Sequence, residues 1–281
     1  MNLNFKIETL LDFEIDPGFK RRAKIITIKS AKLWRKSIKP VKILDIGCGR
    51  GWYENMLINV IDNCQVTAID GNEEYLRQAR KAVVSKSVNF VKGDATKLSF
   101  PNNHFDGIIC SEVLEHITND EQVIKEIRRV LRPGGTALIS VPNKSYPFTW
   151  DPVNWVLEKS LRWHFPANIW WLAGIWADHV RLYSETELLR KFDKNDFKVV
   201  NVWRTTRFCL PFAHFLLYGI GKNIIEKGMF KNFNRFNFKK KPGMLFNVVK
   251  GIFDIWDRKN DKIDTIEGSP FLNLVLEVEK F

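Results

Sequence analysis

The stretch SEVLEHI, residues 111–117, puts Glu112, Glu115 and His116 within five positions of one another. On a helix beginning near Glu112 these side chains fall at i, i+3 and i+4, which is one face. Such a trio can hold a divalent metal ion, serve as an acid/base pair, or form the wet end of a helix. A second chemical signature lies upstream in ILDIGCGRG (43–51), where an apolar run ends in Asp45 and Gly47, Gly49 and Gly51 follow at every second position. Glycines so placed let the backbone turn tightly and approach a ligand with no side chain in the way. Their G-x-G-x-G spacing differs from the G-x-G-x-x-G of dinucleotide-binding loops.

Between Val41 and Val141 short apolar runs alternate with helical stretches: KILDI, QVTAI, VNFVKG, FDGIICS and TALISV, separated by segments such as EEYLRQARKAVV and EQVIKEIRRVL. That alternation predicts an α/β fold, a doubly wound, Rossmann-like sheet of parallel strands with helices on both faces. Pro133, Gly134 and Gly135 stop the helix that ends near Leu131. YSETELLRKF predicts a helix start capped by Ser184, with Glu187 as its capping-box partner. KVVNVW (198–203) and LNLVLEV (272–278) read as two further strands, and the 68 residues between them as an inserted cap. The division expected is a basic helical N-terminal cap (1–40) and a core (41–204 with 272–281) carrying a Trp-rich insert (143–180). A hydrophobic and basic insert (205–271) completes it.

The acids stand at the ends of successive strands, where open α/β sheets bind ligands. Asp70 can accept from both hydroxyls of a ribose, Asp94 is placed to meet an adenine amino group, and Ser111 begins the loop after the fourth strand. With these stations the chain resembles the class I S-adenosylmethionine-dependent methyltransferases, most closely the type 11 subgroup, over residues 41–142. The resemblance implies S-adenosyl-L-methionine as cofactor and seven strands, the last antiparallel. By it Asp45, Gly47 and Gly49 face the methionine part, Asp70 the ribose, and Asp94 with Ala95 the adenine, with Cys48, Gly71 and Ser111 also among the cofactor-binding residues. The Glu-x-x-Glu-His stretch is similar to one in ubiquinone-biosynthesis O-methyltransferases and in small-RNA 2′-O-methyltransferases. In the latter it binds a divalent metal together with a second histidine. Here Glu112, Glu115 and His116 with His179 would be such a set, holding an ion such as Mg that lowers the pKa of a substrate hydroxyl. His116 as an unaided general base, and a purely structural role, remain open.

The net charge of +12 is uneven, with ten Lys/Arg and no acid from Lys20 to Lys42, and eleven bases against four acids from Lys222 to Lys262. Such blocks favour an anionic partner, or are simply solvated. FPANIWWLAGIWA (165–177) and RFCLPFAHFLLYGIGKNII (207–225) are apolar and aromatic, too interrupted for a membrane span. They predict interfacial helices or tunnel walls, with KNFNRFNFKKK (231–241) against anionic lipid. The alternative is a plain lid. Along 17–39 the resemblance implies an N-terminal helix closing over the cofactor, with Trp34 and Ile38 packed inward and its lysines wet. Four scattered cysteines and an acidic start suggest a cytoplasmic setting, peripheral on the inner face of the membrane. The function expected is O-methylation of a hydrophobic, lipid or prenyl-tailed small molecule. An RNA methyltransferase is the rival, disfavoured by the aliphatic density of 207–225, and an inactive cofactor-binding partner subunit is the non-enzyme reading.

Overall fold

The computed structural model describes residues 3–12, 14–34, 39–166, 168–221, 244–262 and 270–281. Two helices, α1 (Leu3–Leu11) and α2 (Pro17–Trp34), precede β1 (Val41–Ile46), α3 (Trp52–Val60), β2 (Cys64–Asp70), α4 (Glu73–Ala82) and β3 (Val88–Lys92). Next come β4 (Phe105–Ser111), α5 (Asp120–Val130), β5 (Leu131–Pro142), α6 (Pro152–Leu161), α7 (Trp170–Ala173) and α8 (Glu185–Asp193). The chain closes with β6 (Phe197–Thr205), a π-helical turn (Phe215–Gly221), α9 (Met244–Asp257) and β7 (Asn273–Lys280).

The seven strands form one sheet in the order β3-β2-β1-β4-β5-β7-β6. β1 to β5 pair in parallel, and β7 runs antiparallel to both β5 and β6, as the resemblance implied. Strand order reverses between β1 and β4, which makes the crevice at their carboxyl ends the natural ligand site. Parallel strands are covered on both faces, so their sequences run almost continuously apolar, as in β1, where only Lys42 is exposed. The helices cover them with amphipathic faces: α5 buries Val123, Ile124, Ile127 and Val130 and is started by Asn119, whose side chain accepts the Gln122 N–H. The capping box of Ser184 and Glu187 forms at the start of α8.

A third core lies outside the sheet. Tyr146 and Trp150 after β5, Ile175 and Leu182 ahead of α8, Cys209 and Ala213 after β6, and Phe253 of α9 pack together. The two inserted stretches therefore share one apolar interior. Gly174 closes it: its φ is +57° and a Cβ there would lie 1.7 Å from Asp151 Oδ2, so no other residue fits. All four cysteines are free and buried. The basic run 231–241, the end of the 207–225 stretch and Ile38 lie outside the described residues.

Trp34, at the end of α2, is buried as expected, and its ring occupies the space that Gly107 of β4 leaves open. A Cβ at Gly107 would stand 2.1 Å from Trp34 Cζ2. Gly107→Ala is therefore expected to lower stability by about 1–3 kcal/mol, read as a reduced denaturant midpoint with unchanged slope.

Candidate active site

The glycine loop after β1 is sewn to the end of β2. The N–H groups of Gly47 and Cys48 both donate to the Ile69 carbonyl, at 2.8 and 2.9 Å. The Gly49 N–H donates to Asp70 Oδ2 at 2.9 Å. Gly47 has φ +75°, and a Cβ on it would come within 2.4 Å of Val113 Cγ2, so glycine is required there by conformation and by space. The other oxygen of Asp70 accepts the Asn72 N–H at 2.8 Å, and Asn72 in turn caps α4. Asp94 accepts from the Thr96 N–H and hydroxyl, which holds its carboxyl below the ordinary range. Around these groups lies a cavity of about 460 Å³, lined on one side by Gly47, Gly49, Asp70, Gly71, Asp94 and Ala95, and on the other by Glu112, Val113 and His116. Size and lining suit a nucleoside-bearing cofactor.

Three of the expected cofactor residues stand back from that cavity. Asp45 is 1% exposed, beneath the loop beside Glu54 of α3. Cys48 packs in an apolar cluster with Ala68, Leu76 and Ala79, and its thiol donates to the Gly49 carbonyl at 3.9 Å. The Ser111 hydroxyl is engaged by Tyr53 at 3.0 Å and by Ser140 at 2.8 Å.

The SEVLEHI stretch departs from the helix expected of it. Only a single 3₁₀ turn forms, Leu114–His116, and Glu112 has φ +56°, outside any helix. The cause is long-range: Glu112 Oε1 accepts from Ser140 at 2.9 Å and Oε2 from Asn273 Nδ2 at 3.0 Å. Glu112 is thereby pulled toward β5 and β7 and leaves the expected metal set. Glu115, His116 and His179 do come together, with one candidate ligand atom from each lying within 4.8 Å of the others. His116 Nδ1 sits 2.8 Å from the Asp178 carbonyl, and with Nδ1–H donating to that oxygen, Nε2 faces Glu115. Both Glu115 oxygens and His179 Nδ1 are buried without a hydrogen-bond partner. Burial first, then Glu112, raises the Glu115 pKa well above the usual range. Burial, with His116 beside it, pushes His179 down to about 3, so its imidazole is neutral at neutral pH.

Sequence reasoning missed Arg22, Glu54, Tyr53, Ser140 and Asn273. Arg22 is hidden in a basic run that reads as wet, and Glu54 in the first turn of α3 reads as a solvated cap. In the fold Glu54 is fully buried with both oxygens unpartnered. Burial raises its pKa to about 7, and raises Asp45 well above the ordinary range, with Glu54 adding to the effect. A carboxyl that binds its proton more tightly when folded stabilises fully below its unfolded value. That contribution is lost as pH rises, here between about 4.5 and about 7. Glu54→Gln is therefore expected to flatten the fall in Tm over that window, removing a pH-dependent loss on the order of 3 kcal/mol, measured by thermal unfolding at a series of pH values.

With the geometry in place, comparison with known proteins is informative. Residues 44–139 match the family model described as a methyltransferase domain. The chain is 26% identical over 199 residues to 2-methyl-6-phytyl-1,4-hydroquinone methyltransferase 1 of Oryza sativa subsp. japonica, covering 70% of this chain and 53% of that one. It is 35% identical over 128 residues to the ubiquinone/menaquinone biosynthesis C-methyltransferase of Shewanella sediminis, covering 43% and 49%. The chain thus spans about half the length of these relatives. Among solved structures it shares the fold of Haemonchus contortus phosphoethanolamine N-methyltransferase 2 in complex with S-adenosyl-L-methionine (TM-score 0.56, 18% identity, 99% of this chain and 56% of that one). The glycine loop, the acids at successive strand ends and these matches agree: residues 44–139 are a methyltransferase domain of the class I S-adenosylmethionine-dependent, type 11 kind.

Proposed function

We propose that this protein transfers a methyl group from S-adenosylmethionine to an oxygen, or to a carbon conjugated with one, on a hydrophobic, lipid or prenyl-tailed small molecule at a membrane surface. One observation carries the acceptor class. α9 is apolar on two sides: Phe253 is buried in the third core, while Met244, Val248, Ile252 and Ile255 form one exposed stripe along the helix. Phe212, Phe215 and Leu216 are also exposed. A stripe of this kind on a chain of net charge +12 suits the interface of an anionic bilayer. No described helix is long and apolar enough to cross a membrane. The relatives' names, a phytyl hydroquinone and a menaquinone methyltransferase, support the same acceptor class. The C-methyltransferase among them is why carbon stands beside the oxygen expected from sequence.

Gly47, Gly49, Asp70 and Asp94 would hold the cofactor. When bound, S-adenosylmethionine supplies a methyl group already activated on a positively charged sulfur. The protein's own contribution is position and dryness: the loop fixed by Asp70 aligns the donor, and Val113 closes its far side.

The test is incubation of the full chain with labelled donor and a total lipid extract. A labelled hydrophobic product is expected, with sedimentation on anionic vesicles that weakens in high salt. Label in RNA, with no binding to vesicles, would replace the reading by RNA methylation. A bound donor with no transfer to either would leave the inactive partner subunit.

A second proposal concerns a divalent cation at Glu115, His116 and His179. Their unpartnered buried atoms fit one, and with Glu112 elsewhere the two imidazoles and one carboxylate suit a transition metal better than Mg. The expected result is zinc or manganese binding by calorimetry, weakened at least about 10-fold in His179→Ala. Equal binding by both proteins, or none, would remove the site.

A further inference from the structure

Arg22 is a buried cation without a bonded partner. It projects from α2, and its side chain is 12% exposed. Its Nε is buried with no hydrogen-bond partner. Among the described residues the one carboxylate within ion-pair range, Glu112 Oε2, lies 3.8 Å from Nη1, too far for a hydrogen bond. Phe19 offers only a ring face, 5.1 Å from the guanidinium carbon. Its field also reaches Glu115 and His179; the groups set against it are Glu112 after β4, Asp16 ahead of α2, Tyr53 of α3 and Tyr218 of the π-helical turn.

Each of these has bonded elsewhere. Glu112 is taken by Ser140 and Asn273. Asp16 accepts the Gly18 and Phe19 N–H groups at 2.9 and 3.2 Å, and the Tyr218 hydroxyl. The Tyr53 hydroxyl is bonded to Ser111. The guanidinium is thus brought into the interior with its Nε–H lacking an acceptor, a costly arrangement unless a ligand supplies one.

Where and what that ligand is follows from the neighbours. Glu112, 3.8 Å from Arg22 Nη1, also lines the cofactor cavity, so the guanidinium stands behind that wall of it. A permanent anion there would face two carboxylates, Glu112 and Asp16, and be repelled. A weakly acidic hydroxyl enters neutral and gains charge only as its proton leaves, when the guanidinium stabilises it most.

We propose that Arg22 binds an ionisable hydroxyl of the methyl acceptor, a phenol or an enol, and holds its oxyanion next to the methyl group. This rests on the methyltransferase reading above. The O–H bond breaks and its proton goes to water. The electron pair left on oxygen, or on a ring carbon conjugated with it, forms the new bond to the methyl carbon. The carbon–sulfur bond breaks and its pair stays on sulfur. For a carbon acceptor the ring C–H proton then leaves and aromaticity returns. One residue thereby serves oxygen or carbon methylation, because both begin from the same oxyanion.

The experiment compares wild type, Arg22→Lys and Arg22→Gln as full chains. S-Adenosylhomocysteine affinity, measured by calorimetry, is expected to stay within about twofold in the variants, which also shows that they are folded. For a short-chain prenyl hydroquinone, kcat/KM of Arg22→Gln is expected to fall about 100-fold or more at neutral pH. Its rising limb should move alkaline by about one pH unit or more, toward the free acceptor's own titration, while Arg22→Lys recovers part of the rate. A direct probe is p-nitrophenol, yellow when ionised. Wild type carrying S-adenosylhomocysteine should move its colour change to lower pH, Arg22→Gln should not, and p-nitroanisole should not compete. Unchanged acceptor kinetics in Arg22→Gln, or an equal colour shift with both proteins, would overturn the assignment. Transfer only to lipids without an ionisable hydroxyl, such as amines, would overturn it and leave the methyltransferase reading standing. Failure of wild type to bind S-adenosylhomocysteine would sink both.

Discussion

The joint between the ends of β1 and β2 is the constraint on which the site depends. Where parallel strands run out, their backbone groups lose ladder partners and must be satisfied otherwise. Here the Ile69 carbonyl takes two N–H groups of the glycine loop, and the Asp70 carboxylate takes a third. The second oxygen of Asp70 holds Asn72, which starts α4. One carboxylate therefore fixes a loop, a strand end and a helix, while the space on the far side of the loop is set by Val113 pressing where Gly47 has no Cβ.

Around this joint the protein buries charge in two different ways. Beneath the loop, Asp45 and Glu54 are both raised in pKa by burial, so the pair retains protons where exposed carboxyls would lose them. On the β4 side, Glu112 remains tied by donors from β5 and β7 and faces Arg22 across a gap. The first arrangement supports the loop from below, where a carboxyl's proton can serve in place of a counter-charge. The second reaches the cavity wall through Glu112 and leaves the Arg22 Nε without an acceptor.

The inserts after β5 and β6 do a different job. They build a shared apolar interior from Tyr146, Trp150, Ile175 and Phe253, and the same α9 that completes it presents a second apolar stripe outward. One side of that helix is core and the other is exposed surface.

The sequence by itself determined the seven strands, the helix start at Ser184 and the glycine loop, because each is encoded by near neighbours. A strand covered on both faces must be apolar along its length, Ser184 and Glu187 cap a helix three residues apart, and a backbone that turns at positive φ selects glycine. The tertiary structure alone decided what Glu112, Arg22, Asp45 and Glu54 do. Glu112 has helical spacing to Glu115 and His116, yet its partners Ser140 and Asn273 stand 28 and 161 residues away and draw it out of that geometry. Arg22 looks like one of ten solvated bases until α2 lies over the sheet, and Glu54 looks like an exposed cap until α3 turns it under the loop. Burial and the partners of a charge are properties of the packed chain, and no spacing within a single element carries them.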